Sequence, residues 1–373
     1  MRVAQVTLDV YDNYGNILQK YALHRILKRF SDFTEVLWLK DNNFFHDIGA
    51  WLSHRPSISN YGINDYERNM FFEAARTLKF KEFEKRYIKT RFDIPYIEDI
   101  SNDYDFFVVG SDQVWNPYFA FSEFPGMFLE SVPRAKKISY AASIAITAIP
   151  PIHPQFIEMW RRGISEFNRI SVREESSIKI IKELTGRDAI RLLDPTLLLT
   201  PEEWLEIAQK PSWFNEKYQR GYILTYYFRN EPHPIIKTIA KKLNLLVINL
   251  LDWDNYWHYI VGPEEFIYLF ANASLIFTHS FHGTAFSILF KKPFVNLEIY
   301  GAANISTRIP EILKMFNLED RIAKPNKNYT IDSILNIDYS TRDKILTQER
   351  NKAFQFLLNA LSGAEKMGGG GKL

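Results

Sequence analysis

Short apolar runs alternate along this chain with longer stretches whose apolar positions recur every three or four residues. The first pattern predicts buried strands and the second amphipathic helices. Arg2 to Leu8 reads as a strand, Asp9 to Gly15 as a loop, and Asn16 to Phe30 as a helix with Leu18, Tyr21, Ala22, Ile26 and Leu27 on its inner face. Thr34 to Leu39 is a second strand. Residues 41 to 100 are less regular and rich in Phe, Tyr, Trp and Arg; Phe71 to Tyr87 reads as a helix, and the region suits a lid or an insertion. Phe106 to Gly110 is apolar throughout, as a central strand should be. Lys137 to Ala142 and Arg169 to Val172 are strands, Ile152 to Glu166 a helix, and Glu174 to Leu184 a helix closed by Gly186. Leu192 to Leu199 then leaves the first unit, with Asp194-Pro195 as the turn.

The second half restarts the alternation. Gly221 to Phe228 and Leu245 to Leu250 are strands, while Pro234 to Lys242 and Glu264 to Asn272 are helices. Leu275 to Thr278 is a buried strand that breaks at Ser280 to Gly283. A helix follows, with Ala285, Phe286, Leu289 and Phe290 at helical spacing, Lys291-Lys292 at its negative pole and Pro293 as its stop. Phe294 to Ile299 is the next strand. Asn304 to Ile309 opens another helix with Arg308 in its first turn, and Thr341 to Leu361 is a long amphipathic helix. The alternation predicts an α/β chain of two Rossmann-like, doubly wound domains facing across a cleft. The expected division is 1–196, 197–340, a C-terminal helix at 341–361 and a flexible tail at 362–373.

Composition narrows the function. The 373 residues include no Cys, which excludes thiolate nucleophiles, disulfides and Cys-based zinc sites. A net charge of +2 argues against nucleic acid as a partner. The 15% of aromatic residues leaves sugar stacking and core packing both open. Without a signal peptide or an apolar run of about eighteen residues, a cytoplasmic chain is expected. Peripheral contact with the inner face of a membrane stays compatible, and the oligomeric state stays open.

Candidate chemistry lies where strands hand over to helices, at the carboxyl edge of the sheets. His279, His282 and Gly283 stand there in the second half, beside a helix start that suits an anion. Asn13 and Asn16 flank the first such loop, either as a plain turn and cap or as ligand contacts. Asp112, Gln113, Trp115 and Asn116 follow the central strand. Asp112 reads as a helix cap or as a general base, and its neighbours suit hydroxyls and a sugar face. Arg173 ends a strand, placed to hold an anion or to pair with Glu174 or Glu175. Arg308 opposes its helix dipole, which points to an anionic partner. His279 and His282 have no nearby carboxylate in sequence, so a metal site is not expected.

With these motifs placed, the chain resembles the polysaccharide pyruvyl transferase family. Four blocks carry the resemblance: Asn13 to Leu23, Val109 to Asn116, Ser171 to Glu174 with Asp194 to Thr196, and His279 to Thr284. The resemblance implies a fold like the GT-B glycosyltransferases. It also implies transfer of pyruvate from phosphoenolpyruvate to two hydroxyls of a sugar, on a polysaccharide or its lipid-linked precursor, with phosphate released. The family's donor-binding arginine and histidine fall on Arg173 and His282. Other members carry Arg-Leu-His where this chain has Ser280-Phe281-His282, so one cation is absent and Arg308 is the substitute argued from position. Asp112 is the candidate base, and His282 the phosphate ligand or acid. No cofactor is implied. The alternatives are a nucleotide-sugar glycosyltransferase and a non-catalytic sugar-binding protein on the same plan.

Overall fold

The computed structural model describes residues 1–9, 12–39, 63–94, 100–118, 124–227, 234–297, 307–323 and 330–362. Two parallel sheets organise them. The first contains β1 (Arg2–Val6), β2 (Phe33–Leu39), β3 (Thr90–Ile94), β4 (Phe106–Val109) and β5 (Lys137–Ser139), in the order β3-β2-β1-β4-β5. Isolated parallel bridges, Ile138 to Arg169 and Ala142 to Val172, carry it on to β6 (Ser171–Val172) and β7 (Ile190–Arg191). The second sheet orders β8 (Tyr222–Tyr226), β9 (Leu246–Leu250), β10 (Leu275–Thr278) and β11 (Phe294–Asn296) as β11-β10-β8-β9. Its pairings are parallel too. The two doubly wound α/β units expected from the alternation are therefore observed. Strands covered on both faces are apolar along their length, as β8 and β10 are.

The longer helices are α1 (Tyr14–Leu27), α2 (Ile63–Tyr87), α3 (Pro154–Ser165), α4 (Glu175–Thr185), α5 (Pro234–Leu243), α6 (Pro263–Asn272), α7 (Phe281–Leu289), α8 (Arg308–Met315) and α9 (Arg342–Leu361). Side-chain caps decide where several begin. Asn13 accepts from the Asn16 N–H at 3.1 Å, so α1 starts two residues earlier than periodicity indicated. Ser280 accepts from the Gly283 N–H at 3.3 Å, so α7 begins at Phe281 and His282 lies in its first turn rather than in a loop. Gly186 ends α4 in the left-handed conformation, as expected.

Two helices bind the units together. Along α2, Phe72, Arg76, Phe80 and Phe83 share one buried face. Arg76 donates to the Tyr14 hydroxyl at 2.7 Å, the Asp12 carbonyl at 2.7 Å and the Tyr259 carbonyl at 3.0 Å. Tyr14 donates in turn to the Val261 carbonyl at 2.6 Å and stacks on Phe266. From the far end of the chain, α9 returns to the first unit. Arg350 donates to the carbonyls of Leu197 and Leu199, and Glu349 pairs with Arg191 at 2.7 Å. Between these straps the segment Leu192 to Leu199 is buried, and one hydrophobic cluster includes Val3, Leu18, Leu197, Phe270 and Leu357. Among the described residues no helix is long and apolar enough to cross a membrane. Part of the expected lid region, residues 40–62 and 95–99, and the tail from 363 lie outside the described residues.

Burial sets a pH response. Burial pushes the His24 imidazole down to about 4, with Lys28 and Lys89 adding to it. Burial likewise lowers His258 to about 4, with Lys217 adding to it. Both stay neutral in the folded protein, whereas the unfolded chain takes up protons from about pH 6.5 downward. Their stabilisation is complete above that pH and is lost as pH falls toward 4. Each costs about 1.4 kcal/mol per unit within that window. Urea unfolding should show a lower midpoint at pH 5 than at pH 7, and equal midpoints would contradict this account.

Candidate active site

The carboxyl ends of both sheets converge on a buried carboxylate, Asp194. Its Oδ2 accepts from Arg173 Nη1 at 2.7 Å and lies 3.4 Å from Nε2 of His282. Its Oδ1 accepts from the Thr196 N–H at 2.9 Å and from the Thr196 hydroxyl at 2.7 Å. Burial alone would raise this carboxyl, but His282, Arg173 and the Thr196 N–H outweigh it and hold the carboxyl below the ordinary range. One oxygen of the first unit thus joins an arginine from that unit to a histidine from the other.

Arg173 follows β6, and its side chain is only 2% exposed. Nε donates to Glu174 at 3.0 Å, while Nη2 lies 3.8 Å from Asp112 and makes no hydrogen bond. Burial works against the guanidinium charge, but Glu174, Asp194 and Asp112 keep it strongly protonated. The expected pairing with Glu174 is therefore present, within a wider network. Glu174 also accepts from the hydroxyls of Ser143 and Ser177, so its carboxylate does not cap the helix that it precedes.

His282 reaches this centre because Gly15 leaves room. A Cβ on Gly15 would lie 2.0 Å from His282 Nδ1, so the ring packs directly against the start of α1. Asp112 closes the same corner. Its Oδ2 accepts from Asn16 Nδ2 at 3.1 Å, and Asn16 also donates to the Leu8 carbonyl. The residues after Asp112 form turns, so it does not cap a helix. It extends the sheet by pairing with Ala142, in a left-handed conformation of φ 72° that Asp and Asn tolerate.

A cleft of about 500 Å³ opens beside this centre, lined by Arg173, Arg308, Phe281 and residues of α4 and α8. The Phe281 ring lies 4.4 Å from the Arg173 guanidinium carbon and 5.9 Å from that of Arg308. Arg308 is half-buried at the start of α8, and burial followed by the Arg173 charge lowers its pKa. Asp112, Glu174 and Asp194 oppose that shift. Arg173 and Arg308 border one cleft. His282 sits behind them, 6% exposed and not on the cleft wall.

Several expected ligand contacts have structural work instead. Trp115 is fully buried and packs edge-on against Phe167, so its face is closed to a sugar. Asn116 is also buried and binds Gln113 at 2.7 Å and the Tyr118 N–H at 2.9 Å. Gly283 allows α7 to approach β10, since a Cβ there would lie 2.3 Å from the Thr278 hydroxyl. Asn13 is a cap, and His279 lies with its ring 4.7 Å from that of Tyr227. Sequence reasoning missed Asp194 as a site residue. Its signal was the block Asp194-Pro-Thr196, which read as a linking turn because Asp and Pro suit turns.

A model of the polysaccharide pyruvyl transferase family matches residues 13–299. That span starts at the cap of α1 and includes Asp112, Arg173, Asp194 and His282. No curated protein matches the chain. Among solved structures, Anabaena HepE in complex with UDP is 11% identical, with 97% of this chain and 94% of that chain covered and a TM-score of 0.45. UDP-N-acetylglucosamine 2-epimerase from Rickettsia bellii is 9% identical, with 97% of each chain covered and a TM-score of 0.47. A glycosyltransferase from Rickettsia africae is 13% identical, with 96% and 95% covered and a TM-score of 0.41.

The contact between Gly15 and His282 makes a test. Gly15→Ala should overpack this junction and destabilise the fold by about 1–3 kcal/mol in urea unfolding. Adding His282→Ala removes the obstructing ring and should restore most of the loss. A Gly15→Ala midpoint equal to that of the parent would show that the junction is loose.

Proposed function

This chain belongs to the polysaccharide pyruvyl transferase family, and we propose that it transfers pyruvate from phosphoenolpyruvate to two hydroxyls of one sugar. The acceptor is a polysaccharide or its lipid-linked precursor, met in the cytoplasm at the inner face of the membrane. The observation that carries this reading is the Asp194 junction, which holds Arg173 and His282 on one carboxylate oxygen beside Asp112. The family resemblance assigned donor binding to that arginine and histidine.

The donor carries a phosphate and a carboxylate, and both call for cations or N–H groups. Arg173 and Arg308 supply the charge on the cleft wall. Two guanidinium groups there face the carboxylates of Asp112, Glu174 and Asp194, so the donor competes with ligands that the chain itself provides. That competition favours a trianionic ligand over a weakly charged one. In the reaction, the donor's methylene carbon gains a proton and becomes a methyl group, leaving C2 electron-poor. A sugar hydroxyl adds to C2 and its proton passes to Asp112. The second hydroxyl then displaces phosphate from C2, its proton leaving with the phosphate as hydrogen phosphate, and the ketal closes. His282 serves as the acid or as the phosphate ligand, and Asp194 is the positioning residue for His282 and Arg173. No cofactor enters these steps.

The direct test is phosphate release from phosphoenolpyruvate with glycoside acceptors, with the ketal followed by mass spectrometry. Binding of a nucleoside diphosphate without any phosphate release would favour a glycosyltransferase instead. Asp112→Asn should keep donor affinity by calorimetry and lower turnover about 10²–10⁴-fold. Asn suits the left-handed backbone equally well, so near-normal turnover would reject Asp112 as the base.

A further inference from the structure

Trp115 is closed to a sugar, but a second group of aromatic residues faces solvent. Phe71 on α2 is 62% exposed, and Trp257 on the short helix Tyr256–Tyr259 is 49% exposed. That short helix lies in the loop after the carboxyl end of β9. The Tyr256 ring joins the two. It stacks nearly parallel to Phe71, at 5.6 Å and 17°, and meets Trp257 edge-on at 5.2 Å. Phe72, itself buried, supports Tyr256 at 5.0 Å. Single exposed apolar side chains need no explanation, whereas rings linked into one surface mark a place of contact.

The surface is built before any ligand arrives. Asn255 caps the short helix by accepting from the His258 N–H at 3.3 Å, and Asp252 accepts from the Asp254 N–H at 3.1 Å. Tyr259 and Ile260 anchor its far end in a buried cluster with Phe72. Rigid aromatic side chains held in this way lose little conformational freedom on binding.

Charge selects the ligand class. Residues 251–260 carry Asp252 and Asp254 but no Lys or Arg, a balance that repels an anionic lipid surface. Carboxylates and amides beside aromatic rings suit a sugar, whose hydroxyls pair with the polar groups while its C–H face stacks on a ring. Position links the surface to the reaction. Arg76, one helical turn after Phe72, donates to the carbonyls of both Tyr259 and Asp12. Asp12 stands just before α1, and one turn of that helix, about 5.4 Å, leads on to Asn16 and its contact with Asp112.

We propose that Phe71, Tyr256 and Trp257 form a subsite for an uncharged sugar chain, stacking on acceptor residues beyond the one that receives pyruvate. This assignment rests on the acceptor reading above. A longer acceptor then gains contacts that a single sugar cannot make.

The experiment uses the full chain with maltohexaose, cellohexaose, mannohexaose and galactohexaose as probes, beside the matching monosaccharides. Trp257→Ala and Phe71→Ala remove exposed side chains, and circular dichroism confirms their folding. Calorimetry should show at least one hexasaccharide binding more tightly than its monosaccharide. Each substitution should weaken that hexasaccharide about threefold to tenfold, the range for one aromatic contact. Trp257→Tyr should recover most of the loss, because it restores a ring. Binding requires neither donor nor turnover, so a failed phosphate-release assay would reject pyruvyl transfer and leave this result standing. Hexasaccharide affinities that neither substitution lowers would overturn the proposal. Sedimentation with phosphatidylglycerol vesicles that Trp257→Ala abolishes, without any effect on hexasaccharides, would overturn it too and assign the rings to a membrane surface.

Discussion

The site depends on how this chain keeps a guanidinium charge in its interior. Arg173 is nearly sealed from water, and an isolated buried charge of that kind is not tolerated. It persists because Asp194 and Glu174 take two of its donor groups and Asp112 stands close to a third. Each partner comes from a different strand end or turn, so pairing the charge also positions the carboxyl edge of the first sheet. Asp194 extends the same arrangement to His282 in the second unit. The arrangement is sensitive by construction, since losing one partner of a buried pair costs far more than the pair contributes.

This coupling accompanies a hydrophobic cluster that the two units share, beside one cluster confined to each. A hinge with a solvated linker would allow free domain motion, yet Leu192 to Leu199 is buried and holds Asp194 in place. Arg76 on α2 and Arg350 on α9 secure the junction from opposite ends of the chain, both through backbone carbonyls. Carbonyl contacts of this kind depend on backbone position rather than on one partner side chain. At the cleft edge α4 and α8 meet through polar contacts, Glu311 on two N–H groups and Ser176 on Thr307. Polar contacts at such an edge can be exchanged for ligand contacts at little net cost.

Burial also redistributes roles among residues that look alike in sequence. Trp115 and Asp112 are three residues apart in one loop. The indole turns into the core against Phe167, while the carboxylate turns toward Asn16 and Arg173. Gly15 and Gly283 both sit at helix starts, but one admits a histidine ring and the other admits a threonine side chain. Residue type alone does not distinguish these cases, because a small or aromatic side chain serves packing and ligand contact equally well.

What the sequence determined by itself was the alternation of elements and the places where chemistry can gather. Short apolar runs and three-to-four-residue periods depend on local geometry, so most strands and helices were legible; β3 and β7 were not, and caps such as Ser280 decide the boundaries of the rest. The carboxyl-edge positions of Asp112, Arg173 and His282 followed from that alternation. Only the tertiary structure decided which of these residues meet. Asp194 read as a turn because its partners lie 21 and 88 positions away in the chain, at Arg173 and His282. The reach of Glu311 to the start of α4, 136 positions away from Glu175, was equally invisible. Long-range pairing of polar groups leaves no periodic trace in a sequence, since it depends on how two sheets are docked rather than on the spacing within either one.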